Sequence, residues 1–120
     1  MSNFDERTIE QFLEKTGMRS KLRGFVYLKD ALMLYGENTK ALIPITKKLY
    51  PVIAEKYSIT DKNVEVSIRR TISKAWLENE SQFKHKMKNA YDGDIITKPT
   101  NTEFILNSAY LLTLESHKSL

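Results

Sequence analysis

The sequence contains no cysteine, and this absence removes several kinds of site at once. Without thiols there is no disulfide framework, no zinc finger built on thiolate ligands and no cysteine nucleophile. Only two histidines are present, His85 and His117, and they lie far apart with no second ligand at helical spacing. We therefore predict no metal site and no bound cofactor.

Long apolar runs are absent as well. No stretch approaches the roughly 20 apolar residues that a membrane span requires, and residues 1–6 lack the basic and apolar regions of a signal peptide. The sequence therefore predicts a protein that does not bind membranes and resides in the cytoplasm.

The patterns that accompany catalysis are also missing. The sequence has no paired carboxylates, no nucleophile with a base beside it and no phosphate-binding glycine loop. Catalysis needs a convergent set of such groups. We therefore predict that the protein is not an enzyme.

What the chain does have is the composition of an ordinary folded protein. It is 120 residues long, 41% hydrophobic and 28% charged, which predicts one compact domain over residues 1–120. Its net charge of +4 and its isoelectric point near 9.2 suit a polyanionic partner. Charge alone is weak support, because many basic proteins bind no nucleic acid.

Only four glycines and three prolines interrupt the chain, and between them apolar residues recur three and four positions apart. This is the period of the α-helix and predicts an all-α fold. The expected helices span residues 5–15, 21–35, 40–57, 61–76, 77–87 and 100–115. Pro44 and Pro51 divide the third into two short helices or one with a kink near Tyr50. Gly24 lies inside the second at a cost of about 1 kcal/mol relative to alanine, which indicates that another backbone passes close to it.

Several helix ends carry the residues that such ends favour. Side chains that accept hydrogen bonds from free N–H groups stand at two helix starts, Asn3 or Asp5 for the first helix and Thr60 or Asp61 for the fourth. Gly17 is expected to end the first helix.

The segment around residue 58 fits a helix-turn-helix. In this motif two helices pack at a steep angle, so a small residue is needed where they touch, with apolar residues around it and early in the second helix. Ser58 marks the turn. The required small and apolar residues are Ile53, Ala54, Tyr57, Ile59, Val64 and Ile68.

The helix over residues 61–76 has two different sides at about 100° per residue. Its apolar side consists of Val64, Ile68, Ile72 and Ala75. The opposite side with its flanks is basic and carries no acid at its centre; it consists of Lys62, Asn63, Val66, Arg69, Arg70, Ser73 and Lys74. Lysine, arginine and asparagine donate hydrogen bonds to base edges and phosphates, and Val66 can meet a thymine methyl group. This pattern predicts that the helix reads the major groove of DNA.

The same residues have a simpler interpretation. Lys62, Arg69, Arg70 and Lys74 are equally compatible with a solvated helix face, because helix-turn-helix patterns in a single sequence have many false positives. Glu65 is either a carboxylate that stabilises the positive end of its helix or an acceptor for a cytosine amino group. The residues alone leave both alternatives open.

Five segments together carry a resemblance to a known family. They are residues 24–28 (GFVYL), 45–51 (ITKKLYP), 64–69 (VEVSIR), 75–76 (AW) and 98–105 (KPTNTEFI). In combination they resemble the C-terminal effector domain of stage-zero sporulation protein A, the master regulator of endospore formation in Firmicutes. The similarity runs from about Ile9 to His117 without an obvious gap.

The resemblance implies a six-helix effector domain of winged-helix-like architecture, in which the fourth helix reads DNA. It implies a sequence-specific transcription regulator that binds promoter boxes in double-stranded DNA, often as two copies on tandem sites. It also implies contact with an RNA polymerase sigma factor. Glu65 and Arg69 match family positions that face the DNA, and Val64 and Ile68 match core positions.

The chain departs from the family at several positions. The family normally has serine at the position of Lys62, arginine at those of Asn63 and Val66, and histidine at that of Arg70. Loss of two arginines removes two guanine or phosphate contacts, and each bidentate base contact contributes roughly 1–3 kcal/mol of discrimination. We therefore expect a preferred DNA box that differs from the family's own. The segment 79–90, where the family meets its sigma factor, matches poorly, which weakens the expectation of that contact.

Full-length members of the family carry a phosphorylatable receiver domain before this one, and 120 residues leave no room for it. The chain is then either an excised fragment or a free-standing effector domain, and its start at Met1 favours the second. Without a receiver, its activity would depend on abundance or on a partner. The rival to a transcription regulator is a protein-interaction module that keeps the fold but binds or sequesters another regulator instead of DNA.

Overall fold

The computed structural model of the chain describes residues 5–37, 45–91, 93–95 and 97–118. Within these ranges it contains six α-helices and no strand, which confirms the predicted all-α class. The α-helices are α1 (Glu6–Lys15), α2 (Arg23–Glu37), α3 (Tyr50–Tyr57), α4 (Asp61–Glu78), α5 (Glu80–Met87) and α6 (Asn101–Lys118). A π-helical turn, Ile45–Leu49, precedes α3, and a 3-10 turn, Lys88–Ala90, follows α5. Among the described helices, none is long and apolar enough to cross a membrane.

Side-chain caps define several of the helix starts. Asp5 accepts a 2.7 Å hydrogen bond from an N–H in the first turn of α1, and Thr60 accepts one of 3.1 Å in the first turn of α4. Both were predicted caps, whereas Asn3 lies outside the described residues. At the start of α6, the Glu103 N–H donates to Thr100 Oγ1 at 3.2 Å and the Thr100 N–H donates to Glu103 Oε1 at 3.0 Å. This reciprocal pair is a capping box, which satisfies two N–H groups that a helix start leaves free.

Several helix ends differ from those predicted by one to three residues, and one of these differences lies between α4 and α5. Leu77 belongs to α4 and not to the next helix, since the chain leaves helical geometry only at Asn79, with φ −137° and ψ 46°. The Asn79 side-chain amide donates to the Gly17 carbonyl at 3.2 Å, so a distant contact fixes this break. Within the predicted helix 40–57, the helix type changes at Tyr50, which is where an interruption was expected; Pro44 lies outside the described residues.

α4 is the central helix of the fold, since it packs against α2, α3, α5 and α6. Its predicted apolar side is buried throughout: Val64, Ile68, Ile72 and Ala75. The largest side chains of the surrounding core are also fully buried, among them Phe12, Leu28, Leu32, Phe83 and Phe104. Burial of a leucine or phenylalanine side chain contributes about 1.5–3 kcal/mol, so this core holds α4 firmly in place.

Gly24 lies where α2 crosses α4, in agreement with the close backbone approach predicted for it. A Cβ atom at this position would overlap the Ser67 carbonyl and the Thr71 hydroxyl of α4. The Thr71 hydroxyl itself donates to the Ser67 carbonyl at 2.9 Å, so both groups are held in place. Only glycine therefore allows α2 to approach α4 this closely.

The environment of Tyr57, at the end of α3, predicts that the folded protein becomes less stable at alkaline pH. Burial and a 2.5 Å hydrogen bond that its hydroxyl donates to Asp30 raise the pKa of Tyr57 to about 12. The pKa of an unfolded tyrosine is about 10. Because the Tyr57 hydroxyl holds its proton more tightly in the folded protein than in the unfolded chain, it contributes its full stabilisation below about pH 10. This contribution to the free energy of unfolding is lost as the pH rises through about 12.

We therefore expect the free energy of unfolding to fall between about pH 10 and pH 12, and Tyr57→Phe to make this fall smaller. Urea unfolding followed by circular dichroism at a series of pH values measures both. An equally steep fall in the variant and the wild type would contradict this assignment.

Candidate nucleic-acid interface

The turn between α3 and α4 has the geometry of a helix-turn-helix. Ser58 adopts φ 55°, in the left-handed region, and is the one residue other than glycine with a positive φ in the described ranges. The Ile59 N–H donates to the Ala54 carbonyl at 3.0 Å, which satisfies a carbonyl in the last turn of α3. The chain therefore turns sharply from α3 into α4. The described residues form no strand, so they contain no β-wing. The expected likeness to winged-helix domains therefore depends on the helix-turn-helix alone.

The side of α4 opposite its buried edge is open to solvent. We call this surface the outer face. Lys62, Asn63, Arg69, Arg70 and Lys74 are exposed on it, while Glu65, Val66 and Ser73 are partly exposed. The Arg69 side chain is 52% exposed and Arg70 is exposed as well, so neither is drawn into the interior. The structure thus brings all the residues predicted to contact DNA onto one surface of one helix.

Glu65 forms the acidic edge of the outer face. Its carboxylate lies 3.1 Å from Arg69 Nη1 and 3.9 Å from Lys62 Nζ. Exposed ion pairs of this kind contribute only about 0–1 kcal/mol to stability, so their main effect is to orient the two cations. Glu65 Oε2 is buried and accepts no hydrogen bond from any described residue.

A groove of about 380 Å³ opens between α4 and the start of α6. It is lined by Tyr50, Glu65, Arg69, Lys98, Pro99, Thr100, Asn101 and Thr102. The buried Asn101 side chain donates to the Glu65 carbonyl at 3.0 Å and to the Tyr50 hydroxyl at 3.1 Å. Asn101 therefore fastens the start of α6 to α4 directly beside Arg69.

Lys98 is a candidate site residue that periodicity did not reveal. Its Nζ atom donates to Ser73 Oγ at 2.6 Å, which places an exposed ammonium group at the edge of the outer face. Lys98 comes from the loop before α6, so the spacing within α4 carries no information about it. The one sequence signal that included it was the block 98–105 in the family resemblance.

The groove and the outer face hold more cationic donors than acids. The charged residues that line the groove are Glu65, Arg69 and Lys98. In the part of the chain that the structure describes, no three histidine, aspartate or glutamate side chains come together as metal ligands would. A surface with this excess of donors suits a polyanion.

The chain matches a family whose description agrees with this geometry. The family is described as "Sporulation initiation factor Spo0A C terminal", and its model matches residues 9–111. The match runs from α1 to α6 and covers nearly the whole chain, including the helix-turn-helix and the groove. The family predicted from the sequence is therefore confirmed.

Proposed function

Because the chain belongs to the Spo0A C-terminal family, we propose that it is a sequence-specific transcription regulator that reads the major groove with the outer face of α4. The family is the DNA-binding effector domain of Spo0A, so the chain is a DNA-binding regulator at the level of the family. One observation supports the finer assignment: α4 exposes cations and an amide opposite its buried edge. A DNA-binding role places the protein in the cytoplasm or the nucleoid.

The dimensions of α4 suit this role. A helix with its side chains is about 10–12 Å across, and the major groove of B-form DNA is about 12 Å wide. In helix-turn-helix proteins, residues in the N-terminal part of the second helix contact the bases. We assign Asn63 to adenine, Val66 to a thymine methyl group and Arg70 to guanine, and we assign Lys62, Lys74 and Lys98 to phosphates.

Glu65 and Arg69 act as a pair in this proposal. The ion pair holds the Arg69 guanidinium beside the groove, ready for guanine or phosphate. A carboxylate can pair with a cytosine amino group, and the Glu65 side chain is 29% exposed, so we assign Glu65 to that base. Ser73 contributes by holding the Lys98 ammonium group.

Selection of binding sites from random DNA duplexes tests sequence-specific reading. We expect one box to be strongly enriched and to differ from the family's own box, because Asn63 and Val66 stand where the family has arginine. Recovery of the family's own box as the best ligand would contradict the altered specificity. Recovery of no preferred box would contradict sequence-specific reading as a whole.

Replacement of Arg69 by alanine tests whether α4 carries the specificity. We expect about 1–3 kcal/mol less binding energy for the selected box, or roughly 5–150-fold weaker binding, because a charged contact to DNA is lost. Fluorescence anisotropy with labelled duplex measures the affinity. Lys88→Ala is the matched control, since Lys88 is exposed in the 3-10 turn that packs on α6. If Arg69→Ala binds the selected box with wild-type affinity, α4 is not the helix that reads the DNA sequence.

The salt dependence of binding separates this proposal from the protein-interaction module. A groove reader with several phosphate contacts loses affinity steeply as salt rises, whereas a protein partner gives a shallow dependence. The expected partners besides DNA are a second copy on a tandem site and an RNA polymerase sigma factor. In the segment 79–90, where a sigma factor would bind, Lys84 stacks over Trp76 and Lys86 pairs with Glu115.

A further inference from the structure

The connection between α1 and α2 carries a cluster of exposed cations, Arg19, Lys21 and Arg23. The Arg19 guanidinium lies 3.2 Å from Glu78 at the end of α4, yet its side chain stays 63% exposed. Lys21 and Arg23 take part in no ion pair with any of the described residues. Two full positive charges therefore remain available to a ligand at this place.

The start of α2 lies directly against one flank of α4. A Cβ atom on Gly24 would overlap Ser67 and Thr71, so the backbone of the adjacent Arg23 lies close to this flank of α4, and Arg23 is exposed. At about 100° per residue, Arg70 and Lys74 lie between this flank and the centre of the outer face. The connection between α1 and α2 and the cations Arg70 and Lys74 therefore lie towards the same flank of α4.

The opposite flank of α4 also carries a cation from another segment. Lys98 lies towards this flank, and its Nζ atom donates to Ser73 Oγ on the outer face. A helix inserted in the major groove fills most of its width, and each flank then faces one of the two phosphate backbones that bound the groove. The two groups of cations, Lys98 on one flank and Arg19, Lys21 and Arg23 on the other, therefore correspond to the two phosphate backbones that bound the groove.

We propose that Arg19, Lys21 and Arg23 bind DNA phosphates on one wall of the groove read by α4, opposite the wall that Lys98 contacts. This inference rests on the proposed function. Phosphate contacts fix the register and orientation of a protein on DNA but carry no base information. Glu78 offsets part of the charge of Arg19 and lies 3.9 Å from Lys74, so Lys21 and Arg23 supply most of the attraction.

The double variant Lys21→Ala/Arg23→Ala tests the proposal by its salt dependence. Each phosphate contact contributes a slope of about −0.9 to a plot of log affinity against log salt concentration. We expect the slope to become shallower by about 2, and the affinity to fall by the same factor for the selected box and for a random duplex. Fluorescence anisotropy titrations over a series of KCl concentrations measure both quantities.

Two matched variants serve as controls. Lys21→Arg/Arg23→Lys keeps both charges and should keep the wild-type slope, while Lys88→Ala removes an exposed charge in the 3-10 turn that packs on α6 and should also leave the slope unchanged. If the wild type binds DNA with a steep salt dependence and the double alanine variant has the same slope, the proposed phosphate contacts of Lys21 and Arg23 are wrong. The proposed function of α4 is unaffected by that result. A loss confined to the selected box overturns them too, since it assigns these residues to base reading. If the wild type binds no duplex at all, the proposed function fails together with this inference.

Discussion

Replacement of Phe104 by alanine is expected to lower the free energy of unfolding by about 3–5 kcal/mol. The ring of Phe104 in α6 is fully buried, and its centroid lies 5.6 Å from that of Phe83 in α5. Phe83 in turn lies 5.6 Å from Trp76 of α4. Truncation would leave a cavity where three helices meet, because a closely packed interior relaxes only in part. Urea unfolding followed by circular dichroism measures the loss.

Tyr110→Ala is the matched control for this prediction. Tyr110 belongs to the same helix but is 53% exposed, so its loss should change stability by no more than about 0.5 kcal/mol. A domain of this size has a total stability of about 5–15 kcal/mol, so Phe104→Ala is expected to leave little reserve. Equal stability of the two variants would show that the aromatic contact between α5 and α6 does not hold the fold together.

The features predicted correctly from the sequence are those that depend on neighbours along the chain. The spacing of Val64, Ile68, Ile72 and Ala75 determines which side of α4 is buried, whatever packs on it. Caps such as Asp5 and Thr60 act within one turn, and Gly24 inside a helix indicates a close approach at that position. Local chemistry was sufficient for these features.

The features that were missed depend on residues far apart in sequence. The break at Asn79 is held by a hydrogen bond to Gly17, and the pattern along the chain placed the end of α4 two residues too early, at Trp76. Thr71 is buried although it is polar, since its hydroxyl bonds within α4 and lies against Gly24. Neither contact can be predicted from the spacing of neighbouring residues in the sequence.

The same division holds for the candidate site. Periodicity places residues on the outer face of α4, but it says nothing of what flanks that helix. Lys98, Asn101 and Gly24 reach α4 from segments more than 20 residues away, and their places became evident only from the contacts with Ser73, Glu65 and Ser67. A single helix can be predicted from its spacing, whereas the surface around it is a property of the fold.

Replacement of Gly24 by valine is expected to separate α2 from α4. The new side chain would overlap the Ser67 carbonyl and the Thr71 hydroxyl, and neither can retreat, because they are hydrogen-bonded to each other within α4. Overpacking typically costs about 1–3 kcal/mol and occasionally more, and contact with backbone places this case at or above the upper value. The gain in helix propensity over glycine is below about 1 kcal/mol and does not offset that cost.

Gly93→Val is the matched control, since a Cβ at Gly93 meets nothing within 4 Å and stability should stay near that of the wild type. The double variant Gly24→Val/Thr71→Ala removes the hydroxyl but not the Ser67 carbonyl, so it should recover only part of the loss in a double-mutant cycle. Because Arg23 and α4 would move apart, DNA affinity should fall even in the fraction that stays folded. Gly24→Val protein with the stability and DNA affinity of Gly93→Val would show that the close crossing of α2 and α4 is not what positions the outer face.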